Sequence, residues 1–252
     1  MRVFIAGMAR SGSMWTYNAT RKLLQHAGYT TLPHEIPSNT APYLKKAFTD
    51  KTNDDEIYCV KTHMQLQPNL PETKIINTYR DVRSAMLSYM RFCHCDFFQG
   101  LKVAHSMMLC TDYYFDKHLH DILHICYSDI KGRPEAVLLD ICNFLELSIE
   151  PDAITSLNDA LSYEKIKSLT GSLDTVPVNE QGTLLDHDDH LQFETVKNLD
   201  GSFRVFDRQT GFQSNHITSK HEEEWKTVLS EAQKEALNQL TEKWLTRYGF
   251  PV

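Results

Sequence analysis

Three short stretches carry residues whose types and spacing can do chemistry. In the first, Gly7 and Gly12 stand five residues apart after the apolar run Val3 to Ala6. That is the glycine spacing of a loop that cradles phosphate. The version of this loop that binds nucleoside triphosphates continues with Lys and then Ser or Thr, whereas Ser13 and Met14 follow here. Backbone N–H groups from Arg10 to Met14, opening a helix, would bind anion oxygens, and Arg10 adds a charged fork. Trp15 offers a flat face to a base. In the second stretch, Lys61 and His63 lie two apart at the end of an apolar run, so in extended chain both face one side. Lysine can neutralise a leaving anion, and histidine can take a proton near neutral pH. In the third, Ser88 follows Arg80 by eight residues, slightly over two helical turns, with Ser84 between them on the same side. These are either a second anion site or, taken alone, a surface arginine and a solvent-facing serine.

The elements that must position these residues read as alternating strands and helices. Val3 to Ala6, Ile57 to Val60, Lys74 to Tyr79 and Ile122 to Tyr127 are strand-like. Helical patterns run over Ser13–Ala27, from Val82 through Met90, over Leu101–His118, and from Pro134 to about Leu147. Ser230 and Gln233 form a capping-box pair ahead of a last helix whose apolar stripe is Leu237, Leu240, Trp244, Leu245 and Tyr248. The alternation predicts an α/β fold in one domain over 1–252, with a mainly parallel central sheet flanked by helices. Ligands in such sheets bind beyond the carboxyl ends of the strands, which is where all three stretches fall. Between 171 and 219 the pattern weakens to a hairpin around Asp200–Gly201 within a long loop, a candidate lid or substrate segment.

The 252 residues are 41% hydrophobic, enough for a sizeable core. A net charge of −7 argues against general nucleic-acid binding. No apolar run approaches the ~20 residues that span a bilayer. Met1 to Ala6 is too short for the apolar core of a leader. Six cysteines in a chain this long then read as reduced thiols, and the expected location is cytoplasmic.

Taken together, the three stretches resemble the sulfotransferase family that uses 3'-phosphoadenosine 5'-phosphosulfate (PAPS). "ARSGSMW" is similar to its PKSGTTW loop, "KTHM" to its KTHLP segment, and "YRDVRSAMLSYMRF" to its 3'-phosphate motif. "YSDI" from Tyr127 resembles YEDM, and "SYEKIK" from Ser162 resembles SFxxMK. The matches run in the family's order from residue 3 to about 167, and "NHITSKHEEEWKTVLSEAQ" resembles the closing segment. The resemblance implies a P-loop-like fold. It also implies transfer of a sulfonyl group from PAPS to a hydroxyl of a small molecule, lipid, polyketide or glycan, with PAP as product and no metal. Arg10 would contact the 5'-phosphosulfate, and Ser11, Gly12, Ser13 and Met14 would supply backbone and hydroxyl donors. Trp15 would stack on adenine near Tyr127 and Tyr163. Arg80 and Ser88 would hold the 3'-phosphate, His63 would be the general base, and Lys61 would assist it.

Two departures stand out. Arg10 replaces the family's loop lysine and can act only as a charge clamp, because guanidinium does not readily release a proton. In the closing segment Thr218, Ser219 and Lys220 stand where the family has Arg, Lys and Gly, leaving Lys220 as a 3'-phosphate ligand. Two rival readings are a P-loop kinase-like phosphotransferase, which needs the missing Gly-Lys-Ser/Thr, and an inactive nucleotide-binding scaffold. "CHC" at Cys93 to Cys95 lacks a usual zinc spacing, and "DHDDH" at Asp186 to His190 reads as a solvated loop. Oligomeric state is open. The acceptor pocket is expected from Pro33 to Lys45, Phe92 to His105 and 171–219.

Overall fold

The computed structural model describes all residues except 67–71, 117–121, 187–188, 215 and 218–222. The first strand, β1 (Arg2–Gly7), is apolar and buried on both faces, as a central parallel strand must be. It feeds α1 (Ser13–His26), which is followed by β2 (Thr30–Leu32), α2 (Ala41–Thr49) and β3 (Glu56–Lys61). Then come β4 (Thr73–Tyr79), α3 (Val82–Cys93), α4 (Phe97–Asp116) and β5 (Ile122–Cys126). Helices α5 (Tyr127–Gly132), α6 (Pro134–Leu145), α7 (Pro151–Ala160) and α8 (Tyr163–Leu173) follow. The remainder holds α9 (Asp189–Gln192), the hairpin β6 (Phe193–Lys197) and β7 (Phe203–Asp207), α10 (Trp225–Val228) and α11 (Glu231–Arg247).

Strands β1 to β5 form one parallel sheet in the order β2-β3-β1-β4-β5. The connection leaving β1 runs to the edge strand β2, from which β3 returns inward, whereas the connection leaving β4 runs to β5 on the other side, so the sheet's switch point lies at the carboxyl ends of β1 and β4. Register brings the strand ends to one edge: Ile5 pairs with Lys61, Gly7 with Thr78, and Tyr79 with Cys126. Side chains alternate across the sheet with period two. Val3, Ile5, Ile57 and Ile76 pack under α1 and α6, whereas Phe4, Ala6, Val60 and Ile75 pack with Cys110 and Tyr114 of α4. A third apolar cluster joins α3 and α4 to Trp244 and Leu245 of α11, whose capping box forms as its sequence implies.

Several sequence expectations need correction. Tyr127 does not extend the fourth strand-like run; it opens α5, just beyond the last ladder pair at Cys126. The α4 helix begins at Phe97, four residues earlier than its pattern suggests. The segment 171–219 is more ordered than a loop: α8 ends in it, and β6 and β7 pair antiparallel around Asp200–Gly201. Strand β2 and helices α2, α7 and α8 carried no recognised signal. Among the described residues no helix is long and apolar enough to cross a membrane.

Candidate active site

The loop between β1 and α1 is shaped by two glycines. A Cβ on Gly7 would lie 2.4 Å from the Thr78 carbonyl oxygen, so the loop can leave β1 this close to β4 only with glycine. At Gly12, φ is 83°, and a Cβ would fall 2.6 Å from Ile130 and 3.0 Å from Tyr127. Between them Arg10 itself takes a left-handed φ of 61°. For a residue with a side chain that conformation is strained by about 1–3 kcal/mol, and such residues concentrate at functional sites. Helix α1 then starts with no side-chain cap and no acid in its first turn. Its leading N–H groups and the positive end of its dipole are left for an anion.

These residues border a cavity of about 820 Å³ at the carboxyl edge of the sheet. Arg10, Gly12, Ser13, Met14, Trp15, Lys61, His63, Arg80, Ser88, Tyr127 and Tyr163 all line it, so nearly every residue singled out in the sequence converges there. Ser11 does not. It is fully buried, its hydroxyl donates to the Met8 carbonyl at 2.6 Å and lies 2.7 Å from Thr78 Oγ1, so the hydroxyl is committed to the loop rather than to a ligand. Lys220 lies outside the described residues.

The Lys61–His63 pair is in contact. His63 Nδ1 is 3.0 Å from the Gly7 carbonyl oxygen, which can only accept, so Nδ1 carries the proton and Nε2 keeps its lone pair. Lys61 Nζ lies 3.3 Å from that Nε2. His63 lies on the cavity wall, where solvent reaches it through the cavity. Desolvation and the neighbouring Lys61 ammonium lower its pKa to about 3, outweighing the Gly7 hydrogen bond. Desolvation and then Arg10 lower that of Lys61 to about 8. The resting pair is therefore a neutral imidazole beside an ammonium.

The arginines are arranged less simply than the sequence implies. Arg10 Nε donates to Ser88 Oγ at 3.1 Å, and Nη2 to the His216 carbonyl. Its guanidinium lies 4.2 Å from the Phe92 ring centre. The fork thus faces α3, toward the serine expected to hold the second phosphate, instead of pointing along its own loop. Burial and then Arg80 lower the Arg10 pKa to about 10, still charged at neutral pH. Arg80 donates from Nη1 to the Arg10 carbonyl at 3.3 Å and stacks 4.2 Å from the Tyr127 ring centre, while its buried Nε has no partner among the described residues. Just beyond it, Asp81 caps α3 through Arg83 N at 2.9 Å and pairs with the Arg83 side chain at 2.8 Å, fixing the backbone that presents Arg80.

Two further residues lie in the 171–219 segment expected to border the acceptor, but neither was singled out there. Arg204 on β7 stacks 4.3 Å from the same Phe92 ring, and His216 packs edge-on against Phe92 and Phe212 at 5.4 and 5.3 Å. From the ranges expected to form the acceptor pocket, Phe92, Cys93 and residues of 204–217 line the cavity. None of 33–45 does so among the described residues; Ile36 instead bonds back to the Arg208 carbonyl. Among the described residues, no group of three or more His, Cys, Asp or Glu could hold a metal ion.

Of the six Lys and Arg residues that line the cavity, Arg10, Lys61, Arg80 and Arg204 bond to neutral groups among the described residues. The two carboxylates at its rim are engaged elsewhere, Glu224 with Arg91 at 2.6 Å and Asp159 with Lys165. Uncompensated buried charge is costly, and a polyanionic ligand relieves it. Trp15 is nearly buried, its indole N–H held by the Leu161 carbonyl at 3.0 Å, while Tyr163 is partly open.

Comparisons with known proteins bear on the family and the fold. The family model for the sulfotransferase domain matches residues 1–176. No curated protein sequence matches the chain. Among solved structures, retinol dehydratase in complex with androsterone and inactive cofactor PAP superposes with a TM-score of 0.61 at 16% identity, covering 97% of this chain and 80% of that one. The mouse sulfotransferase SULT7A1 complexed with PAP superposes with a TM-score of 0.60 at 14% identity, covering 96% and 84%. At these identities the likeness is one of fold.

Proposed function

The chain belongs to the sulfotransferase family, and from that premise we propose that it moves a sulfonyl group from PAPS to an acceptor hydroxyl, with His63 as general base. The observation that carries this reading is the juxtaposition of a neutral histidine, its lone pair turned to Lys61, with four cations that bond to neutral groups among the described residues and with an uncapped helix N-terminus. PAPS fits this surroundings: it brings two anionic groups, and the orphaned Arg80 Nε and the first-turn N–H groups are donors in need of acceptors.

In the proposed reaction His63 Nε2 takes the acceptor's proton as its oxygen bonds to sulfur. The bond from sulfur to the bridging oxygen breaks, and that oxygen leaves on PAP. Lys61 must first give up its 3.3 Å contact with Nε2, and negative charge growing on the leaving oxygen is what draws the ammonium away. The first-turn N–H groups hold the same charge. Turnover of labelled PAPS against a panel of hydroxyl acceptors tests the proposal. Exhaustive chelation is expected to leave the rate unchanged, because the loop lacks the lysine and hydroxyl that hold magnesium on a triphosphate. A strict magnesium requirement would favour phosphotransfer instead.

The pH dependence follows from the same groups. In the unliganded enzyme Lys61 loses its charge near pH 8, so kcat/KM for PAPS should fall above about that pH. An arriving polyanion stabilises both protonated forms and raises both pKa values. The alkaline limb of kcat should therefore lie above that of kcat/KM, and the acid limb, set by His63, should also move up. Superimposable kcat and kcat/KM profiles would contradict this coupling.

A further inference from the structure

We propose that Arg204, on the hairpin strand β7, is a donor-binding residue that grips the nucleotide's 3'-phosphate together with Arg10 and Ser88. The inference rests on the sulfotransferase reading and adds a residue outside every motif that supports it. Phe92 follows Ser88 by one helical turn on α3, so both side chains lie on one face. The Arg10 guanidinium is tied to Ser88 Oγ at 3.1 Å and lies 4.2 Å from the Phe92 ring, and the Arg204 guanidinium lies 4.3 Å from that ring. One aromatic side chain thus gathers two guanidinium groups beside the serine.

Arg204 is held there by design of the hairpin. Its Nε donates to Gln213 Oε1, and Nη1 donates to Asn198 Oδ1 and, at 3.5 Å, to the Phe92 carbonyl. His94, just past α3, pairs with Asp200 in the hairpin turn at 2.7 Å. The hairpin is therefore anchored to the end of α3 at two places, and Arg204 is presented to the cavity between them. Every recorded partner is neutral, and two like charges held against one ring repel each other. A dianion at Ser88 relieves that repulsion. At neutral pH PAPS carries about four negative charges, two of them on a 3'-phosphate whose second pKa is near 6, and Arg204 adds a positive charge where that dianion would meet Ser88.

Calorimetric binding of PAP and AMP to the full chain tests the assignment, since AMP keeps the base and 5'-phosphate but lacks the 3'-phosphate. The wild type is expected to prefer PAP by tenfold or more. Arg204→Gln should weaken PAP by about ten- to a hundredfold and leave AMP within about twofold, collapsing the ratio. Arg204→Lys should restore part of it. Asn198→Ala removes an anchor of the hairpin but keeps the charge, and it should retain most of the wild-type preference. A PAP/AMP ratio unchanged in Arg204→Gln would overturn the proposal. So would an Asn198→Ala ratio as low as that of Arg204→Gln, because the effect would then be structural. An Arg204→Gln defect confined to KM for anionic acceptors would move the residue to the acceptor side. A wild type that binds PAP no better than AMP would instead bring down the sulfotransferase reading itself, an outcome visible before any variant is made.

Discussion

His63→Ala is expected to lower kcat by about 10²- to 10⁴-fold while PAP binding stays within a few-fold of wild type. The imidazole is fixed at the site: Nδ1 is committed to the Gly7 carbonyl, and Nε2 meets Lys61 across 3.3 Å. Alanine removes the proton acceptor and leaves all four cations that hold the donor. It also leaves the Gly7 carbonyl open to the cavity, where water replaces the lost bond, so the fold should lose no more than about 1 kcal/mol. His63→Gln makes a sharper test. Its amide can still donate to the Gly7 carbonyl, but it cannot take a proton, and turnover should remain as low as in the alanine variant. Steady-state kinetics with saturating PAPS, beside calorimetry with PAP, separate the two effects. A kcat near the wild-type value in either variant would remove His63 from proton transfer. A parallel loss of PAP affinity would make it a donor ligand instead.

What could be read in advance divides along a physical line. The residues of the β1 loop, Lys61, His63 and Arg80 were legible because each follows an apolar run that can only be a buried strand, and parallel strands deliver their carboxyl ends to one edge. Local pattern thus predicts a shared location without knowledge of the packing. Side-chain direction is another matter. Ser11 and Arg10 are neighbours in a loop expected to present both to a phosphate, yet the Ser11 hydroxyl turns inward because Thr78 of β4 lies behind it. Arg10 swings toward α3 because Ser88 and Phe92 offer it a partner and a ring. Phe92, Arg204 and His216 fall within stretches expected to border the site but had no individual signal, since they meet only after the hairpin docks on the end of α3, more than a hundred residues away in sequence. Strand β2 was missed for a simpler reason: three residues are too few for periodicity, and its place is set by pairing with β3.

The donor's 3'-phosphate supplies the other large expected effect. Adenosine 5'-phosphosulfate and PAPS carry the same transferable group and differ by one dianion. Arg80→Ala should lower kcat/KM for PAPS by about ten- to a hundredfold or more, with a much smaller loss for the donor lacking the 3'-phosphate. The geometry gives the reason. Arg80 is pinned through Nη1 to the Arg10 carbonyl at 3.3 Å and lies flat against Tyr127, while its buried Nε has no partner among the described residues. A donor oriented by two fixed contacts and lacking an acceptor is prepared for an anion before that anion arrives. Arg80→Lys keeps the charge but loses the planar fork, and should recover only part of the discrimination. Ser88→Ala should cost less than Arg80→Ala, because it removes a neutral hydroxyl. Arg10→Ala separates the structure from the motif. A loop residue serving only the 5'-phosphosulfate would, on removal, weaken both donors alike. The observed contact between Arg10 Nε and Ser88 Oγ instead ties it to the 3'-phosphate, so its loss should also shrink the preference for PAPS. Measuring kcat/KM with both donors for wild type and these variants decides the matter. If Arg80→Ala left the preference intact, the 3'-phosphate would have to bind away from α3, and the assignment of Ser88 would fall with that of Arg80.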